Sequence, residues 1–566
     1  GTRAELVTWA ASNTPVDGRE YRAGLSYVGS TGATDIADLP GLLPLGDVSF
    51  DHFNVPATGA ETLLAVAMQW SIDNSRKLKD SGSYELDGQV TLDFDGGNLI
   101  WDTLQCTFTA SATFPGSGTR MFTITGGQGN EVTFDWNMGR FFGGNMPSEG
   151  TLSSNDVVSI SVSNSTITTT LRNAYFDMSD GVNPDYRLAG GDTCILVNSA
   201  NINLDNIVGV GAEDVLVYVT GSPSTSGNRR GSLVAKGLYA KGCRNGAIQV
   251  KRDFEMVDIE YIAEDCLMGG GVGPAGDSGG NTFTTSVTAG RIKGTTKNCA
   301  YPFHGQRSIG LHVEVEAMDI GFYLPADGAT GAAELAFTDA GVKLLGCIGT
   351  KASIIVDQVN PDLITALGGG YVPADFRGVY LDGNTGSGTG VGPILPSYNV
   401  IDMVLIDIPK PAHEAAGSNN HITYLADGDS VASVITNATS TISETGTTLD
   451  LRANNNGGVA GNFIKFVDTD GSASSDQPSG AIEAWSNDGG TVQKHAYLES
   501  RSRFVAGQGE WVFGTGTLGS PVDTFRVTSY GDVQIIRAGN GVEFLSPDGL
   551  VTKVLTIDNA GSAVWT

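Results

Sequence analysis

The sequence predicts an all-β chain whose middle is a right-handed parallel β-helix, preceded by a short connecting region and a cap helix and followed by a β-strand module. Three observations predict it. First, from about residue 80 to 425 the hydrophobic period is two. Val90-Thr-Leu-Asp-Phe94, Thr107-Phe-Thr-Ala-Ser111, Val157-Val-Ser-Ile-Ser-Val162 and Val313-Glu-Val315 all alternate as half-buried strands do. Second, these strands recur as a unit of about 19–23 residues, the length of one coil of three short strands. A leucine-rich repeat has a similar length, but its L-x-x-L-x-L consensus is absent. Third, glycine supplies 78 of 566 residues, about twice the average usage, and charged residues only 17%. That composition fits short strands joined by many turns.

Along the chain, residues 1–55 form a mixed connecting region, rich in turn formers from Tyr27 to Gly41. A cap helix is expected at about 59–76. Thr58-Gly-Ala-Glu61 has capping-box spacing, and Leu64, Met68 and Ile72 recur every fourth residue, widened by Leu63 and Trp70. The solenoid is assigned to 56–430. Within it, Ile207–Val219 lays without a gap on Leu238–Val250, and Tyr261-Ile-Ala-Glu-Asp-Cys266 repeats Leu238-Tyr-Ala-Lys-Gly-Cys243. Cys243, Cys266 and Cys299 then form an inward column, continued less regularly by Met318 and Cys347. The Gly-rich inserts 221–230 and 273–282 leave the coils at equivalent points and are expected to make a ridge. Residues 431–566 read as a separate β-rich module, with strands at Phe463–Val467, Ala481–Ala484, Trp511–Phe513, Phe525–Val527 and Val533–Ile536.

Several function classes drop out. A formal net charge of −29 disfavours a nucleic-acid footprint. Apolar runs such as Leu63–Met68 fall far short of a membrane span, so no membrane insertion is expected. No signal-peptide pattern opens the sequence, and Gly1 in place of Met suggests trimming or a tag. Six scattered cysteines and six histidines make neither a disulfide scaffold nor a zinc spacing, so buried free thiols and no metal are expected. Gly271-Val-Gly-Pro-Ala-Gly276 lacks the strand–turn–helix setting of a dinucleotide site. Asp468-Thr-Asp-Gly471 opens like a calcium loop but has Ser479 at the twelfth position. No cofactor is implied.

The repeat register turns sequence into neighbours in space. Counting back from the cysteine column places Gly237, Glu260, Lys293 and His312 in one row, and Ala235, Asp258, Arg291 and Gly310 in a second. A third row holds Tyr239, Ile262, Thr295 and Glu314. Leu238, Ile259, Ile292, Leu311 and Val313 face inward between these rows; Lys236 breaks the rule. One outer face thus gathers Asp258, Glu260, Arg291, Lys293, His312 and Glu314. Stacked ion pairs on a solvated face are the plain reading of this patch. The chemical reading is a depolymerising groove. Asp258 and Glu260, two apart on one strand, lie about 6.5–7 Å from each other and suit the acid and base of an inverting glycosidase. Lys293 or His312 as base, with Arg291 neutralising charge, would instead suit elimination on a uronic acid. A second patch, Tyr301, His304 and Arg307, offers a stacking ring and hydrogen-bond donors to a sugar.

Three pieces of the chain resemble a bacteriophage tailspike with a pectate-lyase-like parallel β-helix. Tyr27–Gly41 leading into Asp51-His-Phe53 resembles the particle-proximal start of many tailspikes. Pro56-Ala-Thr-Gly-Ala-Glu-Thr62 stands where pectate-lyase-like chains carry Gly-Asp-Gly and Asp-Asp-Thr before a helix, and departs from that pattern. Gly541–Gly549 followed by Leu555–Gly561 is similar to the closing segments of phage fibres. The resemblance implies a homotrimer on the virion, joined to the phage tail or baseplate through its N-terminus. It would bind and usually cleave a bacterial surface polysaccharide, an O-antigen or a capsule. A spike that binds without cleaving, and a free secreted polysaccharidase, are the other readings.

Overall fold

The computed structural model describes residues 3–436 and 478–565, except for segments that include 30–41, 127–132, 147–154, 180–184, 221–230, 274–286, 369–375 and 384–394. The chain divides into two compact units, Gly1–Thr441 and Ile442–Thr566.

Alternating burial along each strand builds the first unit into a parallel β-helix. Among the described residues its strands make one sheet of 16 strands and one of 11, and the solenoid ladders pair parallel between successive coils. The first three coils have three strands each, beginning at Leu78–Lys79, Leu99–Asp102 and Phe134–Asn137. From the fourth coil the first two strands fuse into one long strand, as in Thr168–Asp177, Asn201–Val210 and Gly231–Lys241. Each fused strand bends at an aligned left-handed residue: Asn173, Asn206 and Gly237, with φ of +57°, +54° and +63°. Asparagine and glycine are the residues that adopt this conformation at least cost.

The cap helix runs Glu61–Asp73 and buries Leu64, Met68, Trp70 and Ile72. Its Gln69 side chain donates to the Asp93 carbonyl at 2.5 Å and accepts from the Asp93 amide at 2.9 Å, covering the edge of the first coil. The expected capping box does not form. Ala60 is the N-cap and makes no side-chain bond, while Thr58 bridges to Glu85 instead. Two helices escaped the sequence reading: Arg3–Ala10, and Pro361–Leu367, whose N-cap Asn360 accepts from the Asp362 and Leu363 amides. Residues before the cap helix share the solenoid's core through Leu6, Tyr27, Phe50 and Phe53.

Cys243, Cys266 and Cys299 do stack inward, between Ala212 and Ile320, and all four flanking-strand registers agree. Met318 is not in this column: it pairs with Lys297, faces outward and is 40% exposed. Cys347 follows Ala340–Leu345 of the other sheet. All six thiols are buried and free. The residue before each column member turns the corner in the left-handed region. In order these are Gly211, Gly242, Asp265, Asn298, Asp319, Gln358 and Asp407, at φ of +68° to +50°. Asn298 donates to Asp265 at 2.9 Å, and Gln358 to Asp319 at 2.7 Å, so the corner carries its own polar ladder.

A second corner stacks Asn155, Asp192, Asp214 and Asn245 through backbone bonds. Burial, then the carboxylates of Glu213, Asp156 and Asp214, push the Asp192 carboxyl up to about 6. A raised carboxyl contributes stability that is fully present below its unfolded pKa and is lost as pH rises through about 6. Asp192→Asn keeps an acceptor and removes the charge. It is therefore expected to be more stable than the parent above pH 6 by on the order of 1 kcal/mol, with the gap closing toward pH 4. Melting temperatures across that range check this; a variant less stable at pH 7.5 would contradict it.

The second unit has a five-stranded antiparallel sheet, Pro478–Asp488, Thr491–Ser502, Gly509–Thr517, Ser520–Val527 and Val533–Ile535, and a three-stranded sheet, Val542–Leu545, Thr552–Ile557 and Ala563–Trp565. Arg501 holds Asp523 with two bonds, at 2.7 and 2.9 Å, and also pairs with Glu499. The expected strand Phe463–Val467 lies outside the described residues, as do the insert 221–230 and all of the insert 273–282 after Gly273.

Candidate functional site

The outer face of the 16-stranded sheet holds most of the predicted residues. Asp258 and Glu260 project from Phe254–Glu264, Arg291 and Lys293 from Gly290–Lys297, and His312 and Glu314 from Leu311–Ile320. Inward neighbours Ile259, Ile292 and Val313 are buried, which fixes the charged positions outward. The register pairs Asp258 with Arg291 and Glu260 with Lys293, as read from the sequence. The next coil differs by two residues, so His312 stacks on Arg291 and Glu314 on Lys293. The cause is that Ile320, not Met318, continues the cysteine column. On the other side Asp258 faces Val234, not Ala235. A bulge between Ala235 and Leu238, made possible by Gly237, turns Lys236 outward and removes its apparent exception.

The patch is a lattice of ion pairs. Lys236 Nζ reaches Asp258 Oδ1 at 2.5 Å, Arg291 reaches Glu314 at 2.8 Å, and Lys293 lies 3.7 Å from Glu260. His312 Nε2 lies 3.6 Å from the same Glu314. The Arg291 hydrogen bond holds the Glu314 carboxyl below the usual carboxylate range. Signs alternate across neighbouring rungs, which are about 4.8 Å apart, so the arrangement also selects the register.

The second predicted patch is on a different sheet. His304 lies on His304–Gln306 of the 11-stranded sheet, bonded to Gln306 at 2.9 Å beside a cavity of about 30 Å³. Burial, then Lys343 and Lys251, push its imidazole down to about 4, so it is neutral at pH 7. The Lys343 ammonium sits 4.2 Å from the Tyr301 ring centre and occupies one face of it. Arg307 is 1% exposed at a left-handed corner, φ +49°. Its assignment as a sugar contact is therefore corrected: a guanidinium buried in this way meets no polymer at the surface.

The sequence reading missed a groove of about 540 Å³ on the same outer face as the charged lattice, several coils nearer the cap helix. It lies over the bends at Asn173 and Asn206 and is lined by Gln105, Thr107, Gly139, Arg140, Tyr175 and Val208 among others. Thr107, Arg140, Tyr175 and Val208 form one outward column. Asn206 donates to Asn173 at 2.9 Å and Asn173 to Asn137 at 2.8 Å, fixing the amides along one wall. Carrying the repeat register upstream of Ile207 is the signal that finds it.

The inserts depart in register, since Thr220 and Gly273 both align with Lys251. Among the described residues no cluster of acids, histidines and cysteines is placed to hold a metal, and no helix is long and apolar enough to cross a membrane.

No family model matches the sequence, and no curated protein matches it. Among solved structures, the chain is similar to the gp42 tailspike of Acinetobacter phage vb_AbaP_AS12. The identity is 11% with a TM-score of 0.42, covering 96% of each chain. It is also similar to the enzymatically active domain of tailspike protein 4 of bacteriophage CBA120, at 12% identity and a TM-score of 0.28, covering 99% of this chain and 69% of that one. At these identities and TM-scores neither likeness carries a function to this chain.

Proposed function

We propose that the chain is a phage tailspike that binds and depolymerises a bacterial surface polysaccharide, by hydrolysis of glycosidic bonds on the outer face formed by 255–316. The observation that carries this reading is one sheet face on which the groove and the charged lattice follow each other along the coil axis. An extended polymer lying across the rungs meets both.

Within the lattice the two carboxylates are held differently. Asp258 is tied to Lys236 at 2.5 Å, which fixes its carboxylate in place for the role of the base that activates water. Glu260 is half-exposed and only loosely paired with Lys293 at 3.7 Å, a pairing that an arriving sugar displaces. That supports Glu260 as the acid. Arg291, Glu314 and His312 are the substrate contacts at its flank. Tyr301 and His304 keep a place as contacts on the other sheet.

The test is incubation of purified protein with capsules and lipopolysaccharides from several bacteria. New reducing ends without ultraviolet-absorbing unsaturated sugars support hydrolysis. Unsaturated products move the base to Lys293 or His312. Intact chains that stay bound reduce the protein to a receptor-binding spike. We also propose a homotrimer, with 442–566 as its association module and the N-terminus toward the phage tail. Light scattering that returns a single 58.8-kDa chain at micromolar concentration refutes the trimer.

A further inference from the structure

We propose that the groove above Asn173 and Asn206 is a subsite for a sugar bearing a carboxylate, with Arg140 as its anion-binding group and the Tyr175 ring as its platform. The proposal rests on the polysaccharide reading above and adds the chemical class of the sugar.

Arg140 combines the lack of an ion-pair partner among the described residues with a place in the groove lining. On the same sheet Arg172 pairs with Asp135 at 2.9 Å, Lys236 with Asp258, Lys241 with Glu264 at 3.8 Å, Arg291 with Glu314 and Lys293 with Glu260, while the exposed Lys79, Lys297 and Lys351 make no ion pair among the described residues and lie outside the groove. Arg140 is exposed, and no carboxylate among the described residues lies within ion-pair distance of it. In a chain of net charge −29 carboxylates abound, so a guanidinium left open in a groove is an available anion site. Its planar fork matches a carboxylate with two parallel bonds, which a lysine cannot do.

The surroundings suit a sugar ring. Arg140 is anchored by its amide on the Cys106 carbonyl at 3.0 Å, and the Tyr175 amide bonds the Gly139 carbonyl at 2.9 Å, so the two side chains stand on adjacent rungs. Gly139 keeps the floor bare: a Cβ there would fall 2.4 Å from the Thr103 carbonyl oxygen. The Asn173 and Asn206 amides, already oriented by their ladder, face sugar hydroxyls along the wall. A volume near 540 Å³ is in the range of small-ligand sites.

The test is binding of the full chain to an array of purified bacterial capsules and lipopolysaccharides, each presented native and carboxyl-reduced. The wild-type chain is expected to prefer native acidic polymers over their reduced forms. Arg140→Gln is expected to weaken binding to those polymers about 10–100-fold, the loss of a charge-assisted bond, and to leave binding to reduced polymers unchanged. Arg140→Lys is expected to restore only part of the affinity. Both variants should melt with the parent, because the side chain is exposed. If Arg140→Gln binds acidic polymers as tightly as the parent, or if reduction leaves parent binding intact, the subsite is wrong and the polysaccharide reading stands. If no polymer in either form binds the parent, both fall together.

Discussion

Glu260→Gln is expected to lower depolymerisation by about 10²–10⁴-fold while leaving the coil folded, the usual effect of removing a general acid. The fold should tolerate the change because the Glu260 and Lys293 side chains are about half exposed, at 48% and 51%, and meet at only 3.7 Å. Such a pair contributes little to stability, and a surface amide substitution typically stays within about 0.5 kcal/mol. Asp258→Asn should lower turnover to a similar degree, since it removes the base.

Lys293→Ala separates the two chemistries. If Glu260 is the acid, Lys293→Ala keeps turnover, because the cation takes no part in the proton transfer. If Lys293 is the base of an elimination, the same variant is inactive at every pH. Full turnover in Glu260→Gln, Asp258→Asn and Lys293→Ala alike would remove the 255–316 face from the reaction.

What the sequence made legible here was parity and spacing. Because a strand alternates its faces, the inward column of Cys243, Cys266 and Cys299 and the outward charges beside it followed from the repeat alone. A slip of two residues preserves parity, so the error at His312 left it on the correct face and gave it the wrong partner. Lys236 was illegible for another reason. Its orientation depends on a bulge that Gly237 permits but no periodicity announces.

Arg307 and Cys347 misled because they sit at the second sheet, where coil lengths vary and the count from the cysteine column no longer applies. Other features were readable and missed. Asn360-Pro361-Asp362 is a clear helix start. Gly, Asp or Asn stands before every cysteine of the column, the composition a left-handed corner requires. The groove needed the bends at Asn173 and Asn206, which arise only when two short strands fuse.

Phe141→Ala is expected to destabilise the first unit by about 3–5 kcal/mol, the cost of emptying a packed aromatic site. Tyr84, Phe108, Phe141 and Phe176 stack one per coil inside the first four coils of the solenoid. Phe141 lies 5.3 Å from Phe108 and 4.7 Å from Phe176, nearly parallel to each, with Phe122 and Trp136 edge-on at 5.9 and 6.0 Å. Four rings therefore lose a neighbour at once, and each is fixed by strands on either side, so the site has little room to collapse. Further along, the same column narrows to Gly209, Ala240 and Ala263, where Leu216 fills the space over Gly209. No later residue can thus slide in to replace the lost ring. Phe142, one residue on, points outward, is half-buried and has one ring neighbour among the described residues, Tyr175 at 6.3 Å. Phe142→Ala should cost a small fraction of that amount, and Phe141→Leu should recover much of the loss by restoring volume. Denaturant midpoints of the three variants decide the matter. If Phe141→Ala unfolds no more easily than Phe142→Ala, the stacked rings are not what holds these coils together.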